Sequence, residues 1–221
     1  MSIKGYIAVE GPIGVGKTTL AKLLAKKLDA RLILENSESN PFLPDFYKNR
    51  ERYAFQTQIF FLMSRSAQQQ HFAHDDLFSQ CTLSDYIFAK DGLFAGLNLS
   101  SDELILYEKV TSNLEKNVAI PDMVIYLTAT VDTLIQRIRR RQRSFEKGLE
   151  KSYLENLCET YSNFFFNYSD APLLVVKTDN VDFSTDGDKL SYIIEKISNK
   201  KEGTEYISFD SVLTDNRMGT G

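Results

Sequence analysis

Gly11-Pro12-Ile13-Gly14-Val15-Gly16-Lys17-Thr18 matches the phosphate-binding pattern G-x-x-x-x-G-K-[ST] at every position. Glycines allow such a loop to fold closely around an anion, so that backbone N–H groups and a helix N-terminus point at the phosphate. Lys17 then supplies positive charge to the β- and γ-phosphates, and the hydroxyl of Thr18 supplies a ligand for Mg²⁺. The alternative is a glycine-rich turn that binds nothing.

The residues on either side of this loop provide the strand–loop–helix setting that the motif requires. Residues 4–10 (KGYIAVE) predict a short buried strand, and residues 19–28 carry four leucines at helical spacing. The sequence therefore predicts that the chain binds a nucleoside triphosphate. We expect ATP to contact the loop and the residue after it: Gly11, Pro12, Ile13, Gly14, Val15, Gly16, Lys17, Thr18 and Thr19.

The composition is that of a globular protein with one domain of ordinary size. The chain has 221 residues, of which 43% are hydrophobic and 25% charged, and this is enough to build one core. The net charge of −4 argues against duplex nucleic acid as a partner, because binding to nucleic acid depends on clustered Lys and Arg.

The cysteines and the N-terminus predict a cytoplasmic protein. Cys81 and Cys158 lack the spacing of metal ligands and are expected to stay reduced. No signal peptide is recognisable, and no apolar run is long enough to span a bilayer. We therefore expect no membrane partner.

Strands and helices alternate along the chain. After the first strand, apolar runs predict four further strands at 31–35, 81–85, 122–127 and 173–176. Helical patterns follow at 51–72, 86–94, 101–117, 131–141, 150–168 and 187–198. This alternation predicts an α/β domain at residues 1–199, with a doubly wound, five-stranded parallel sheet and right-handed crossovers. Residues 200–221 show weak periodicity and are expected to form a loosely ordered tail.

Two carboxylates follow predicted strands, at the edge of the sheet where open α/β folds bind their ligands. Glu35 ends the second strand and is placed to accept a proton from an acceptor hydroxyl. Asp85 ends the third strand, where a second Mg²⁺ ligand beside Thr18 would be useful. The alternatives are a surface glutamate at a strand end and an aspartate that initiates a turn.

Arginines cluster near the end of the helix predicted at 131–141. Arg137 and Arg141 are four residues apart on one face, and Arg143 follows them. Arginines stabilise the charge of a transferring phosphoryl group, and a mobile lid at about 137–148 would close them over ATP. A solvated basic face is the alternative, but the phosphate-binding loop favours the lid.

A phosphate-binding loop by itself does not distinguish a motor, a signalling protein and a kinase. The chain is too short for most motor or transporter ATPases. It also has no Asn/Thr-Lys-x-Asp motif for reading guanine, which argues against a signalling GTPase. A kinase that phosphorylates a small molecule is therefore favoured.

In combination, these motifs resemble the deoxynucleoside kinase family, and within it the bacterial deoxyguanosine/deoxyadenosine kinase branch. The resemblance covers roughly residues 4–199 and implies the P-loop kinase fold, ATP-dependent phosphorylation of a deoxynucleoside 5′-hydroxyl, Mg²⁺ as cofactor and a homodimer. It is carried by Glu35 and by the segments 10–20 (EGPIGVGKTTL), 40–43 (NPFL), 46–47 (FY), 60–65 (FFLMSR), 85–86 (DY), 137–146 (RIRRRQRSFE) and 153–154 (YL).

The resemblance also implies roles for individual residues. Glu35 is the expected general base on the 5′-hydroxyl, and Tyr47 and Glu146 are expected to hold the 3′-hydroxyl. Gln58 would face the Watson–Crick edge of the base. The implied catalytic residues are Glu35, Lys17, Arg137, Arg141 and Arg143. The implied acceptor site comprises Glu35, Tyr47, Gln58, Arg65, Asp85, Tyr86, Asp91 and Glu146. The remaining implied ATP contacts are Arg141, Arg143, Asp182 and Phe183.

One position departs from the family pattern. Many members carry an arginine directly after the carboxylate that corresponds to Asp85, and this chain has Tyr86 there. If that arginine orients Glu35 or the 5′-oxygen, another residue must do so here, and a lid arginine is one candidate. The chain has no Trp, so base stacking must come from Phe or Tyr. Candidates for stacking, although core packing is the commoner role of such residues, are Phe61, Phe88 and Phe94.

Two alternative functions stay open. A thymidylate-type nucleoside monophosphate kinase shares the loop and the lid, but it needs extra positive charge for the phosphate of its acceptor. After the second predicted strand this chain instead has Glu35, which suits a neutral hydroxyl. The other alternative is a nucleotide-binding regulatory module without catalytic activity. The Gln58 amide suits adenine and can also fit guanine or cytosine, so a preference for purines rests on the resemblance alone.

Overall fold

A computed structural model describes residues 3–72, 81–114, 118–199 and 202–209. Its strands form one parallel sheet and are β1 (Gly5–Glu10), β2 (Arg31–Ile33), β3 (Cys81–Ser84), β4 (Met123–Thr128), β5 (Leu173–Lys177) and β6 (Thr204–Ser208). The order across the sheet is β2-β3-β1-β4-β5-β6, and every neighbouring pair is parallel. The predicted α/β class and the doubly wound parallel sheet are confirmed.

The helices follow the predicted pattern, with one difference that matters for the site. They are α1 (Lys17–Leu28), α2 (Leu43–Lys48), α3 (Arg50–Phe72), α4 (Lys90–Asn98), α5 (Ser101–Leu114), α6 (Val131–Arg141), α7 (Lys151–Phe166) and α8 (Gly187–Ser198), with short 3₁₀ turns at Ser37–Ser39 and Ser144–Gly148. The difference is that α4 begins at Lys90 instead of residue 86, and ahead of it the Ile87 N–H is bound by the Glu10 carboxylate. None of the helices in the described ranges is long and apolar enough to cross a membrane.

The side chains of the sheet alternate between two apolar layers. Along β1, Ile7 and Val9 belong to one core cluster, and Ala8 belongs to the other, as the twofold period of a strand requires. Helices α1 and α8 cover the first face, where Leu20 and Ile193 are fully buried. Helix α7 covers the second face. The sheet is therefore buried on both sides, which is usual for parallel strands.

The strand order reverses at β1, and this fixes the position of the site. From β1 the chain goes to β2 and β3 on one side, and it then crosses to β4 on the other side. In open α/β sheets, ligands bind at the carboxyl ends of the strands beside such a reversal. The segments that leave β1, β2 and β3 at this edge carry Lys17, Glu35 and Asp85.

The expectation of five strands is wrong, because β6 forms a sixth. It lies within the stretch that the sequence assigns to a tail, after Gly203, whose φ of 83° turns the chain. Tyr206 is 73% exposed, whereas Ile207 and Phe209 are 6% and 7% exposed and belong to the first core layer. An edge strand with so few core residues leaves almost no hydrophobic period in the sequence, and this is why the pattern missed it.

We expect the packing of β6 against the first core layer to stabilise the protein. Ile207→Ala removes buried methyl groups and should lower the free energy of unfolding by about 2–4 kcal/mol, measured by urea denaturation. Tyr206→Ala, at the exposed neighbouring position, is the matched control and should change it by less than about 0.5 kcal/mol. Equal effects of the two substitutions would mean that β6 does not pack as described.

Candidate active site

The phosphate-binding loop has a backbone shape that only glycine adopts easily. Gly11, Gly14 and Gly16 have φ values of 147°, 86° and 109°, in the region that side chains disfavour. A Cβ on Gly11 would lie 2.4 Å from the carbonyl oxygen of Leu127, and a Cβ on Gly14 would lie 2.8 Å from Cγ1 of Ile138. The loop is therefore held tightly between the end of β4 and α6, and α1 begins directly after it.

Lys17 points back over this loop. Its Nζ donates to the carbonyl oxygens of Gly11 and Pro12 over 2.7 and 3.1 Å. Burial, followed by the nearby charge of Lys90, lowers the pKa of Lys17 to about 8. The ammonium group is thus held in place by carbonyl oxygens, which an anionic phosphate can replace as its partner.

A buried carboxylate, Glu10, connects the loop to the rest of the site. Its Oε1 accepts hydrogen bonds from the Gly11 N–H over 2.8 Å and from the Tyr161 hydroxyl over 3.0 Å, and its Oε2 accepts one from the Ile87 N–H over 3.0 Å. Glu10 is fully buried. The sequence analysis did not identify it, because only the folded sheet brings its three donors together.

Asp85 and Thr18 meet as the sequence predicts. The Thr18 hydroxyl donates to Oδ2 of Asp85 over 2.5 Å, and Oδ1 accepts from the Glu35 N–H over 2.7 Å. A hydroxyl and a carboxylate are the hard oxygen ligands that suit Mg²⁺, which usually takes one or two carboxylates and completes its shell with phosphates and water. Within the described residues no group of three or more His, Cys, Asp or Glu side chains forms a denser metal site.

Glu35 is held by two cations. Its Oε1 accepts from Nε of Arg65 over 3.0 Å and also contacts Nη2, and its Oε2 accepts from Nζ of Lys90 over 2.9 Å. Although burial opposes ionisation, Lys90 and then Arg65 hold the pKa of Glu35 well below its usual range. The sequence analysis missed Lys90. A signal was available, because Lys90 is the first cation along the chain after Tyr86, which stands where the resemblance implies an arginine.

A cavity of about 310 Å³ opens beside Glu35. Most of the residues predicted for the acceptor site lie together in its wall: Glu35, Tyr47, Gln58, Arg65, Asp85 and Glu146. The aromatic rings of Phe61 and Phe94 also line it. Phe88 instead belongs to a core cluster, so the predicted stacking role fits the first two rings and not the third.

Asp91 and Tyr86 lie behind this wall. Asp91 is bound by Nη1 of Arg65 and by the Tyr107 hydroxyl, the latter over 2.8 Å, and its backbone carbonyl accepts from Nε2 of Gln58 over 2.8 Å. It therefore fixes Arg65 and Gln58 in the cavity wall. Tyr86 is fully buried, and its hydroxyl donates to Oε1 of Gln68 over 2.7 Å. This placement does not favour a contact between Tyr86 and substrate, and that contact stays a prediction.

The predicted lid packs over the same cavity. Arg141 pairs with Glu146, and Arg143 lies 3.3 Å from Oε1 of Glu38. The Phe145 ring stacks on Tyr47 at 5.8 Å between centroids. The lid therefore reaches α2 and the segment after β2, where Glu146 comes beside the predicted sugar-binding residue Tyr47.

Arg137 makes a different set of contacts from the other lid arginines. Its guanidinium donates to the carbonyl oxygens of Val15 and Val181, each over 3.1 Å, and to Thr178. These bonds tie α6 to the phosphate-binding loop and to the segment after β5. Arg137 lines the second cavity described below, so its predicted role toward the phosphates stays a prediction.

A second, more open cavity of about 960 Å³ lies on the other side of the loop. Its wall includes the loop residues from Gly14 to Thr19 and the predicted adenine contacts Asp182 and Phe183. Five residues line both cavities, namely Gly14, Lys17, Thr18, Arg141 and Arg143. A nucleotide whose phosphates lie on the loop would thus have its terminal phosphate where the two cavities meet, beside Glu35.

Comparison with known proteins agrees with this geometry. The family model described as deoxynucleoside kinase matches residues 7–201. The chain is 37% identical over 201 residues to a deoxyguanosine kinase of Bacillus subtilis, covering 89% of this chain and 93% of the relative. It is 32% identical over 200 residues to a deoxyadenosine/deoxycytidine kinase of the same organism, covering 87% and 91%.

Solved structures give the same result. A deoxyadenosine kinase from M. mycoides with bound dATP has a TM-score of 0.76 and 28% identity, covering 88% of this chain and 99% of that one. The same kinase with the products dCMP and a flexible dCDP bound has a TM-score of 0.77 at the same identity and coverage.

The lowered pKa of Lys17 predicts that ATP binding takes up protons in alkaline solution. At about pH 8.5 a group with a pKa of about 8 is largely neutral, and the phosphates favour its charged form. Calorimetric titration in two buffers of different ionisation enthalpy should detect this uptake. In Lys17→Arg the guanidinium is always protonated, so the uptake should disappear. Equal proton uptake by the two proteins would contradict the assignment.

Proposed function

The chain belongs to the deoxynucleoside kinase family, and from this premise we propose that its acceptor is a purine deoxynucleoside and that Glu35 is its general base. The reaction is the ATP-dependent phosphorylation of a deoxynucleoside hydroxyl group. The similar proteins include kinases named for deoxyguanosine and for deoxyadenosine, which supports a purine. The observation that carries the proposal is the junction of the two cavities, where Glu35, Lys17 and Thr18 stand side by side.

In the proposed mechanism, positioning and electrostatics do most of the work. The 5′-hydroxyl lies between Glu35 and the terminal phosphate of ATP, and it attacks in line while its proton passes to the carboxylate. Because the pKa of Glu35 is held low, the carboxylate is a weak base, and the proton moves late. This suits phosphoryl transfer, whose loose transition state needs little activation of the nucleophile.

Three cations stabilise the charge of the transferring group in this scheme. Lys17 approaches the phosphates from the loop, and Arg141 and Arg143 approach from the lid. Arginine and lysine placed before the reaction stabilise developing negative charge without reorganising. For the arginines, this requires the exchange of their present contacts with Glu146 and Glu38 for phosphate.

We assign Mg²⁺ to Thr18 and Asp85, whose oxygens already lie within hydrogen-bonding distance of each other. When bound there, the ion would supply positive charge that neutralises the phosphates. Asp85 is also bound by the Glu35 N–H. The residue that would hold the ion is therefore linked to the backbone of the proposed general base.

The acceptor is assigned to the smaller cavity. Tyr47 and Glu146, which contact the lid residues Phe145 and Arg141, would bind the 3′-hydroxyl. Gln58 and Arg65, in the same cavity wall, would bind the nucleobase. Phe61 lies under Arg65, with the guanidinium carbon 5.0 Å from the ring centroid. A planar base between aromatic walls and these polar groups is the ligand that the lining suits best.

We further propose a cytoplasmic homodimer that binds neither nucleic acid nor membrane. Both cysteines are outside any disulfide, which suits a reducing compartment. Large apolar side chains are exposed on α3 and α5, namely Met63 at 51%, Ile105 at 53% and Leu106 at 50%. Exposed apolar groups of this kind are candidates for burial between copies of the chain.

Substitution of the general base should separate binding from chemistry. Glu35→Gln keeps the shape of the side chain and is expected to lower kcat by at least about 10²-fold, while ATP affinity measured by calorimetry stays unchanged. Lys17→Ala should instead weaken ATP binding itself. If Glu35→Gln kept full activity, the chain would be better described as a nucleotide-binding regulatory module.

The substrate class is tested with the same assay. A panel of the four deoxynucleosides and dTMP with labelled ATP should give the fastest turnover with deoxyguanosine or deoxyadenosine. A higher rate with dTMP would favour a thymidylate-type nucleoside monophosphate kinase and would overturn the proposal.

The oligomeric state is tested by analytical ultracentrifugation at micromolar concentration, where the chain should sediment as a dimer. Charges introduced by Ile105→Glu and Leu106→Glu should dissociate it, since burying an unpaired charge in an apolar interface is costly. Phe166→Ser on α7, where the side chain is 84% exposed, is the control and should leave the dimer intact. A monomeric parent chain would reject the proposal.

A further inference from the structure

Lys90 occupies a position that helix formation and burial both disfavour. It is the first residue of α4, where the positive end of the helix macrodipole repels a cation. It is also only 5% exposed, although an ammonium group is costly to bury without a partner. Positions that break local rules in this way are commonly functional.

The partner of Lys90 is the carboxylate assigned as general base. Its Nζ binds Oε2 of Glu35 over 2.9 Å, while Nε of Arg65 binds Oε1 over 3.0 Å. Because the two cations bind different oxygens, the carboxylate cannot rotate without losing a charge-assisted hydrogen bond. Its orientation is therefore fixed from both oxygens.

The two cations have different surroundings, so they are not equivalent. Arg65 also pairs with Asp91, and this second pair anchors it toward the base end of the cavity. Lys90 binds Glu35 from the start of α4, and it lines the same cavity as Lys17 and Thr18 of the phosphate-binding loop. Lys90 thus contacts the carboxylate in the cavity that the phosphate-binding loop borders.

We propose that Lys90 is a positioning residue for phosphoryl transfer, which keeps the Glu35 carboxylate aimed at the acceptor hydroxyl. It does so in place of the arginine that the family pattern would put at Tyr86, whose side chain is buried behind Arg65. The inference rests on the proposed function, since it takes Glu35 as the group that receives the proton.

Other charged and titratable groups also face Glu35, and they determine how the removal of Lys90 affects it. Arg65 from α3 and Lys17 from the loop stay in place as cations, and Asp85 opposes them. Two buried tyrosines, Tyr86 and Tyr161, interact electrostatically with Glu35. Both are neutral, because burial raises their pKa well above the usual value. Loss of Lys90 therefore leaves Arg65 on Oε1 and removes the cation that binds Oε2, so the carboxylate of Glu35 is held from one oxygen only.

The first test compares kcat and KM of Lys90→Met, a substitution that keeps the length of the side chain and removes its charged donor. Because Oε2 of Glu35 then loses its partner, kcat should fall by about 10- to 100-fold, while KM for ATP changes little. Lys90→Arg should restore most of kcat, because it returns a charged donor to Oε2.

The second test is a double-mutant cycle. If Lys90 acts through Glu35, adding Lys90→Met to Glu35→Gln should cause little further loss of kcat. A full additional loss would overturn the proposal, as would an unchanged kcat in the single variant. If Glu35→Gln itself is fully active, it is the proposed function that fails. A normal result for Glu35→Gln with no effect of Lys90→Met overturns only the inference about Lys90.

Controls separate this role from stability. Lys26→Met removes an exposed lysine of α1 and should leave both kcat and KM unchanged. Thermal unfolding and ATP binding are measured for every variant. If Lys90→Met does not fold, Lys90→Gln replaces it in both tests, because its neutral amide exchanges the charge-assisted hydrogen bond to Glu35 for a weaker one.

Discussion

The geometry of this active site depends on Glu10, a carboxylate without access to solvent at the end of β1. Its two oxygens bind the first N–H of the phosphate-binding loop, the N–H of Ile87 and the hydroxyl of Tyr161. Hydrogen bonds to an ionised group are stronger in a buried environment. One side chain thereby joins the loop that would hold the donor, the segment that leads from Asp85 to Lys90, and α7 behind both.

Burial also explains why the charged side chains of the neighbouring cluster are paired. Glu35 and Asp91 are matched by Arg65 and Lys90, so this buried cluster carries no net charge. Removing one member would leave an uncompensated charge, which costs far more than the intact pairs contribute. The consequence is a Glu35 carboxylate that stays ionised. As the general base that we propose, it would be a weak one, which suits a reaction that depends on positioning more than on prior removal of a proton.

Sequence reasoning succeeded where the signal is local. The phosphate-binding loop, α6, α8 and the carboxylates that follow β2 and β3 all come from motifs or from regular spacing within one segment. It failed for Glu10 and Lys90, whose roles depend on partners far away along the chain, and for β6, whose few core residues leave no period. Tyr86 shows the limit most clearly, because its position beside Asp85 suggested a substrate contact and its side chain faces the core.

On the proposed assignment, the contacts of Arg65 join nucleobase recognition and catalysis in one network. Its Nη1 binds Asp91, and its Nε and Nη2 bind Glu35, so one rigid guanidinium connects the proposed general base to Asp91. Asp91 in turn holds Gln58 through its backbone. A nucleobase that drew Arg65 toward itself would therefore also act on Glu35. If the assignment holds, a substitution that moves Arg65 to change nucleobase selection also changes the rate, because the planar guanidinium keeps both partners only in this arrangement.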